Sequence, residues 1–286
     1  MARIVVVGSV ARDEVVRLDG RFRVGTHLQG SWQGPRLGGG AACTAVPLAY
    51  AGHEVFVISS LGDDDQGHQL AAELAATGVD TSRIEFVDQP STRSIILVDS
   101  VGERTVINVT RTTQDIPPER LLGLRADCLY VRSRRNDLAP LLLEAAASTF
   151  VVAHMPPCEP GGMPAHVLVA SASDLDADML KDPFAAGREV AGDILQTVVL
   201  THGPKGAVAH GAEQLLRVPS PTVVPVDTTG AGDAFAAGML HALVTRASME
   251  ETLITAAAWG AEATQWERSI LPEEAVKRLL QYRASV

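Results

Sequence analysis

The chain has 286 residues, 46% of them hydrophobic and 20% charged, with a mean hydropathy of +0.13. That balance is the one expected of a soluble globular protein and excludes disorder as its main theme, and the length suits one α/β domain with small excursions. A net charge of −10, 4% aromatics and lysine only at Lys181, Lys205 and Lys277 argue against a nucleic-acid partner.

The opening MARIVVVGSV carries a short apolar run that reads as a buried first strand, and no apolar run approaches the ~18 residues that span a bilayer, so no membrane partner is expected. Uninterrupted Val- and Ile-rich runs recur at Ile4–Val7, Val55–Ile58, Phe150–Val152, Val167–Val169 and Val198–Leu200. Runs of this kind are buried parallel strands. Ala- and Leu-rich stretches with helical spacing at 41–51, 67–77, 139–147 and 234–245 lie between or after them, which predicts an α/β doubly wound, mostly parallel sheet with helices on both faces. Residues 14–37 and 92–111 break this rhythm, the second with two β-rich runs around a polar turn at Ser100–Glu103. Together they predict a small antiparallel sheet beside the main one. Cys43, Cys128 and Cys158 stand far apart without a CxxC pair, so neither a disulfide framework nor a zinc site is expected, and a reducing cytoplasm fits.

Most of the chemistry lies in PVDTTGAGDAFAAGMLHAL, residues 225–243. Gly230 and Gly232 permit a tight turn and close approach of a ligand. The helix that follows, through Ala231, offers free N–H groups and the positive end of its dipole, an anion hole. Asp233 at its rim suits a base that accepts a hydroxyl proton during phosphoryl transfer. Taken alone, the string is also compatible with a plain helix-start turn. No GxxxxGK[ST], no GxGxxG after the first strand and no GxSxG is present, which disfavours P-loop kinases, dinucleotide oxidoreductases and α/β-hydrolases.

DTTGAGDAF, residues 227–235, closely resembles the second signature of the ribokinase-like PfkB family of carbohydrate and nucleoside kinases. VVVGSVARDEVVRL (5–18), LGGGAACTAVPLAYAG (37–52), SLGDDDQGHQLAAELAATGVDTSRI (60–84) and VVLTHGPKGAV (198–208) match the family in the same order, through nearly the whole chain. The resemblance implies a single ribokinase-like kinase domain over 1–286 with its small sheet as a lid, and transfer of the γ-phosphoryl group of ATP, with Mg²⁺, to a hydroxyl of a small sugar, sugar-like compound or nucleoside. In it Asp13 holds substrate hydroxyls beside Gly38, Gly39, Gly40 and Cys43. Thr201, Gly203, Gly206 and Ser173 lie by the nucleotide. Asp176 acts on magnesium-bound water, Asp227 and Thr229 mark a monovalent-cation (K⁺) site, and two copies pair through the lid.

Departures from the family pattern matter for the acceptor. Cys43 stands where an Asn is common, Gly40 and Ala11 where ribokinases carry Lys and Asn, and Ser173 with Asp176 replaces Asn-x-x-Glu. The smaller Gly40 and Ala11 lead to an expectation of extra room, suited to a bulkier or less polar acceptor than ribose. Arg132, Arg134 and Arg135 either pair with a phosphate or carboxylate on the substrate or line a solvated loop, and His154 reads as a partly buried histidine. A catalytically idle ligand sensor or structural partner is the competing reading, motivated by the eroded substrate loop.

Overall fold

A computed structural model describes residues 1–112, 118–121, 123, 125–133, 135, 137–156 and 158–283. Its strands are β1 (Arg3–Gly8), β2 (Ala11–Leu18), β3 (Gly30–Gly38), β4 (Glu54–Gly62), β5 (Ile84–Val87), β6 (Arg93–Val98), β7 (Arg104–Thr110), β8 (Cys128–Arg132), β9 (Phe150–His154), β10 (Val167–Ser171), β11 (Thr197–Thr201), β12 (Ala207–His210) and β13 (Leu215–Val218). The helices are α1 (Gly40–Tyr50), α2 (Asp65–Ala75), α3 (Ala139–Ala146), α4 (Pro183–Ala191), α5 (Ala231–Val244), α6 (Met249–Ala263) and α7 (Glu273–Arg283).

Successive side chains of a strand point to opposite faces of its sheet, so a strand covered on both sides needs an unbroken apolar run. In β1, Ile4 and Val6 enter one core with α1, α2, α5, α6 and α7, whereas Val5 and Val7 enter the other with α3 and α4. The resulting nine-stranded sheet runs β13-β12-β11-β10-β9-β8-β1-β4-β5, parallel except at β12 and β13. Every expected strand and helix forms within a few residues of its predicted limits. Helices α4, α6 and α7 were not anticipated, although two carry start signals: Asp182 before Pro183 accepts from Ala185 N–H, and Ser248 with Glu251 forms a capping box. Among the described residues, no helix is long and apolar enough to cross a membrane.

The small sheet runs β3-β2-β6-β7. Both outer pairs are antiparallel, and β2 and β6 join them in parallel, placing Asp13 opposite Arg36 on one side and Ser94 on the other. Trp32, Val106, Ile107 and Val109 are exposed on it, an apolar surface of the kind that pairing through the lid would cover.

The lid is clasped to the body just ahead of α5. Arg17 donates to the Val226 carbonyl at 3.3 Å and pairs with Glu267, and the Thr228 amide and hydroxyl both donate to the Gly102 carbonyl at 3.0 Å.

Candidate active site

The chain enters α5 through a left-handed residue, Gly230, with φ 78°. Any side chain there would be strained, and a Cβ would lie 1.9 Å from the Ser269 carbonyl oxygen, so this glycine makes the turn. Gly232 has another role: it lies inside α5 at ordinary φ, and a Cβ on it would meet nothing within 4 Å. The helix start is open at this point. Ala231 N–H is committed to the Thr228 carbonyl at 3.3 Å, and Ala234 N–H to Gly230. The amides of Gly232 and Asp233 are therefore the donors left for an anion among the described residues, and Ala231 contributes shape rather than an N–H. Thr44 of α1 approaches the Asp233 carbonyl at 3.5 Å and ties the two helix starts together.

The three loop glycines each clear a different atom. A Cβ on Gly38 would fall 1.9 Å from an Asp13 carboxylate oxygen, and one on Gly39, the φ 88° N-cap of α1, 2.5 Å from the Ser9 carbonyl. At Gly40 a Cβ would come 2.5 Å from Cδ and 2.7 Å from Nε of Arg132. The room anticipated beside Gly40 is thus occupied: the Arg132 stem crosses it, and its guanidinium forms an ion pair with Asp233. An acidic and a basic side chain 101 positions apart meet because β8 ends and α5 begins at this edge of the sheet.

Asp13 is buried at the end of the lid, and burial pushes its carboxyl up to about 6, opposed by a hydrogen bond from Ser94 and by the charges of Arg36 and Arg12. Burial favours the neutral acid, so the carboxylate form of Asp13 fills in only as pH rises through about 6. Accordingly, kcat/KM for the acceptor is expected to climb ~10-fold per pH unit below that value and to level above it. Asp13→Asn should remove this limb, and a profile unchanged in that variant would refute the assignment. Cys43, in the first turn of α1, is buried, and its thiol is pushed up to about 12 by burial and by Asp13, with Arg132 and Arg104 opposing.

On the other side of the site, Ser171 and Thr201 close β10 and β11 as register partners, with Ser173 Oγ 2.7 Å from Ser171 Oγ. Three strand spacings, roughly 14 Å, separate β8 from β11, a span suited to a nucleotide lying along the carboxyl edge. Gly203 and Gly206, at φ 57° and 94°, shape the turn after β11. Asp176 is exposed, and one of its carboxylate oxygens accepts from the amides of Asp178 and Met179. Asp227 is buried, with Oδ1 accepting from Thr229 N–H at 2.9 Å and Oδ2 from Arg36 at 3.1 Å.

Arg36 and Ser171 were missed by sequence reasoning. No local pattern marks Arg36, whose partner is 191 residues away. Arg135 pairs with Asp137 on the surface, His154 is half-buried near the Pro156 carbonyl, and Arg134 lies outside the described residues.

A deep glycine turn into a helix, a carboxylate at its first turn and a buried acid on a small β lid together match a phosphotransferase of the ribokinase fold. The pfkB family carbohydrate kinase model matches residues 1–150 and 165–275. The chain belongs to this family. It is 31% identical over 276 residues to an ATP-dependent ribose-1-phosphate kinase of Halopiger xanaduensis, covering 91% of either chain, and 27% identical over 268 residues to the Bacillus subtilis ribokinase, covering 88% of this chain and 89% of that one. Among solved structures, Thermotoga maritima ribokinase superposes with a TM-score of 0.77 at 22% identity (98% of this chain, 100% of that one). Cryptococcus neoformans ribokinase, in complex with ADP, superposes with 0.75 at 21% (97% and 99%).

Proposed function

We propose that this protein transfers the γ-phosphoryl group of ATP to a hydroxyl of a small sugar or sugar-like acceptor, with Asp233 as the base. The observation that carries this reading is the joint placement of Asp233, the two uncommitted amides of the α5 start and the open space over Gly232. Asp13 orients the acceptor hydroxyls. Asp233 takes the proton of the acceptor hydroxyl, the oxygen of that hydroxyl bonds to the γ-phosphorus, and the bond from the γ-phosphorus to the β–γ bridging oxygen breaks to release ADP. The Gly232 and Asp233 amides meet the charge that spreads over the phosphoryl oxygens.

Mg²⁺ would neutralise phosphate charge. The oxygen donors of Ser171, Ser173 and Asp176 suit this hard cation, which usually keeps several waters. For K⁺ the donors do not fit. Both Asp227 oxygens are engaged and its charge is met by the Arg36 guanidinium, leaving Thr229 Oγ1 and Ser269 Oγ as buried neutral oxygens suited to a water. Replacing K⁺ by tetramethylammonium is therefore expected to change wild-type turnover less than ~2-fold, whereas Arg36→Ala should lose ~10-fold or more and regain much of it on adding K⁺. Strong K⁺ activation of the wild type would contradict this.

The names of the relatives cover both neutral and phosphorylated acceptors, ribose and ribose-1-phosphate, and do not choose between them. Acceptor-dependent ADP release across sugars, sugar phosphates and nucleosides tests the function. Stabilisation by ATP and an acceptor with no ADP released would favour the sensor reading instead.

A further inference from the structure

We propose that the acceptor is a sugar bearing a phosphomonoester and that Arg132 receives that phosphate. This names the substrate class of the site above and rests on its reading as a phosphoryl-transfer centre. Three observations carry it.

The first is steric. Position 40 has no side chain, and the space is filled by the Arg132 stem, with Cδ, Nε and Nη1 lying 2.5, 2.7 and 2.8 Å from where a Cβ would stand. A guanidinium has been built into the pocket wall rather than left in a solvated loop.

The second is electrostatic. Arg132 sits between the amino-terminal ends of α1 and α5, the positive poles of both helices, where a cation is disfavoured unless an anion accompanies it. With no acceptor bound, that anion is Asp233. Once Asp233 takes the hydroxyl proton its charge is gone, and the guanidinium then faces the transferring phosphoryl group on one side and the acceptor on the other. A phosphate on the acceptor supplies an anion on that second side, and the planar fork of arginine has a second edge with which to hold it.

The third is the surrounding charge. Arg36 is committed to Asp227 and Arg12 to Glu73, so neither is spare. Arg132 is thus the cation at the starts of α1 and α5 whose partner, Asp233, gives up its charge in the proposed reaction, and the two edges of its guanidinium match the several oxygens of a phosphomonoester.

The experiment measures kcat/KM by ADP release for matched pairs: ribose against ribose-1-phosphate and ribose-5-phosphate, fructose against fructose-6-phosphate, inosine against inosine monophosphate, and gluconate as the carboxylate arm. Calorimetry without nucleotide gives acceptor binding directly. At least one phosphorylated sugar is expected to exceed its parent by ~100-fold or more, the scale of two charge-assisted hydrogen bonds. In Arg132→Met, which keeps a stem over Gly40, that ratio should collapse towards 1 through KM, with ATP binding unchanged, and Arg132→Lys should retain part of it. Preference for a neutral sugar, a nucleoside or gluconate overturns the proposal but leaves the kinase reading standing. A ratio unaltered in Arg132→Met overturns the role of Arg132. Sugar-phosphate binding with no ADP released in any arm overturns the kinase reading instead, and wild-type preference decides the substrate class even if the variants fail to fold.

Discussion

Asp233→Asn is expected to lower kcat by ~10²–10⁴-fold, the scale of losing a positioned general base. The substitution keeps the shape of the side chain and leaves the Gly232 and Asp233 amides untouched, so ATP affinity should stay within ~3-fold. What it removes is, among the described residues, the carboxylate in the first turn of α5 able to accept the hydroxyl proton, together with the anionic partner of Arg132. ADP release at saturating substrates, with calorimetry for ATP, separates the two effects. Turnover close to wild type in a folded Asn variant would mean that the proton leaves by another route and that Asp233 is a helix-start acid after all.

Gly230→Ala should damage both stability and activity. A left-handed alanine costs about 1–2 kcal/mol. The added methyl also collides with the Ser269 carbonyl, a backbone atom on the connection between α6 and α7, and relieving such overpacking typically costs a further ~1–3 kcal/mol. The sum corresponds to a fall in melting temperature of roughly 5–15 °C for a chain of this size. The same shift moves the donor amides of α5, and a displacement of ~1 Å at such a site costs ~100-fold in rate. Gly232→Ala makes the contrast, since its Cβ meets no protein atom: the melting temperature should hold within ~2 °C while the methyl intrudes on the phosphoryl position and turnover falls. Equal loss of stability in both variants would show that the two glycines do the same work.

Much of the molecule was legible in the sequence because its signals are local. The runs at Ile4–Val7 and Val198–Leu200 are apolar on both faces and have no stable alternative to a covered parallel sheet, and Gly230 announces a turn that no other residue makes cheaply. The 14–37 and 92–111 segments lack helical spacing, and they form the lid. Helices α6 and α7 were harder: α6 is apolar on most of its surface, so its periodicity is weak, and only the Ser248–Glu251 box marks its start.

The acceptor side was a matter for tertiary structure. From sequence, Gly40 and Ala11 read as missing contacts and empty room, because a glycine shows what is absent at its own position and nothing of what arrives from elsewhere. The arrival is Arg132, brought by the pairing of β8 with β1 to a point facing α5. Arg36 follows the same rule, since the register of β3 on β2 sets it beside Asp13 and the clasp of the lid carries it to Asp227. Local sequence thus determined the fold, the glycine turn into α5 and the carboxylate at its first turn, all encoded within a few residues. Charge pairing across the pocket was decided only when strands and helices distant in sequence ended at one edge of the sheet, since Coulomb interactions depend on distance in space and are indifferent to separation along the chain.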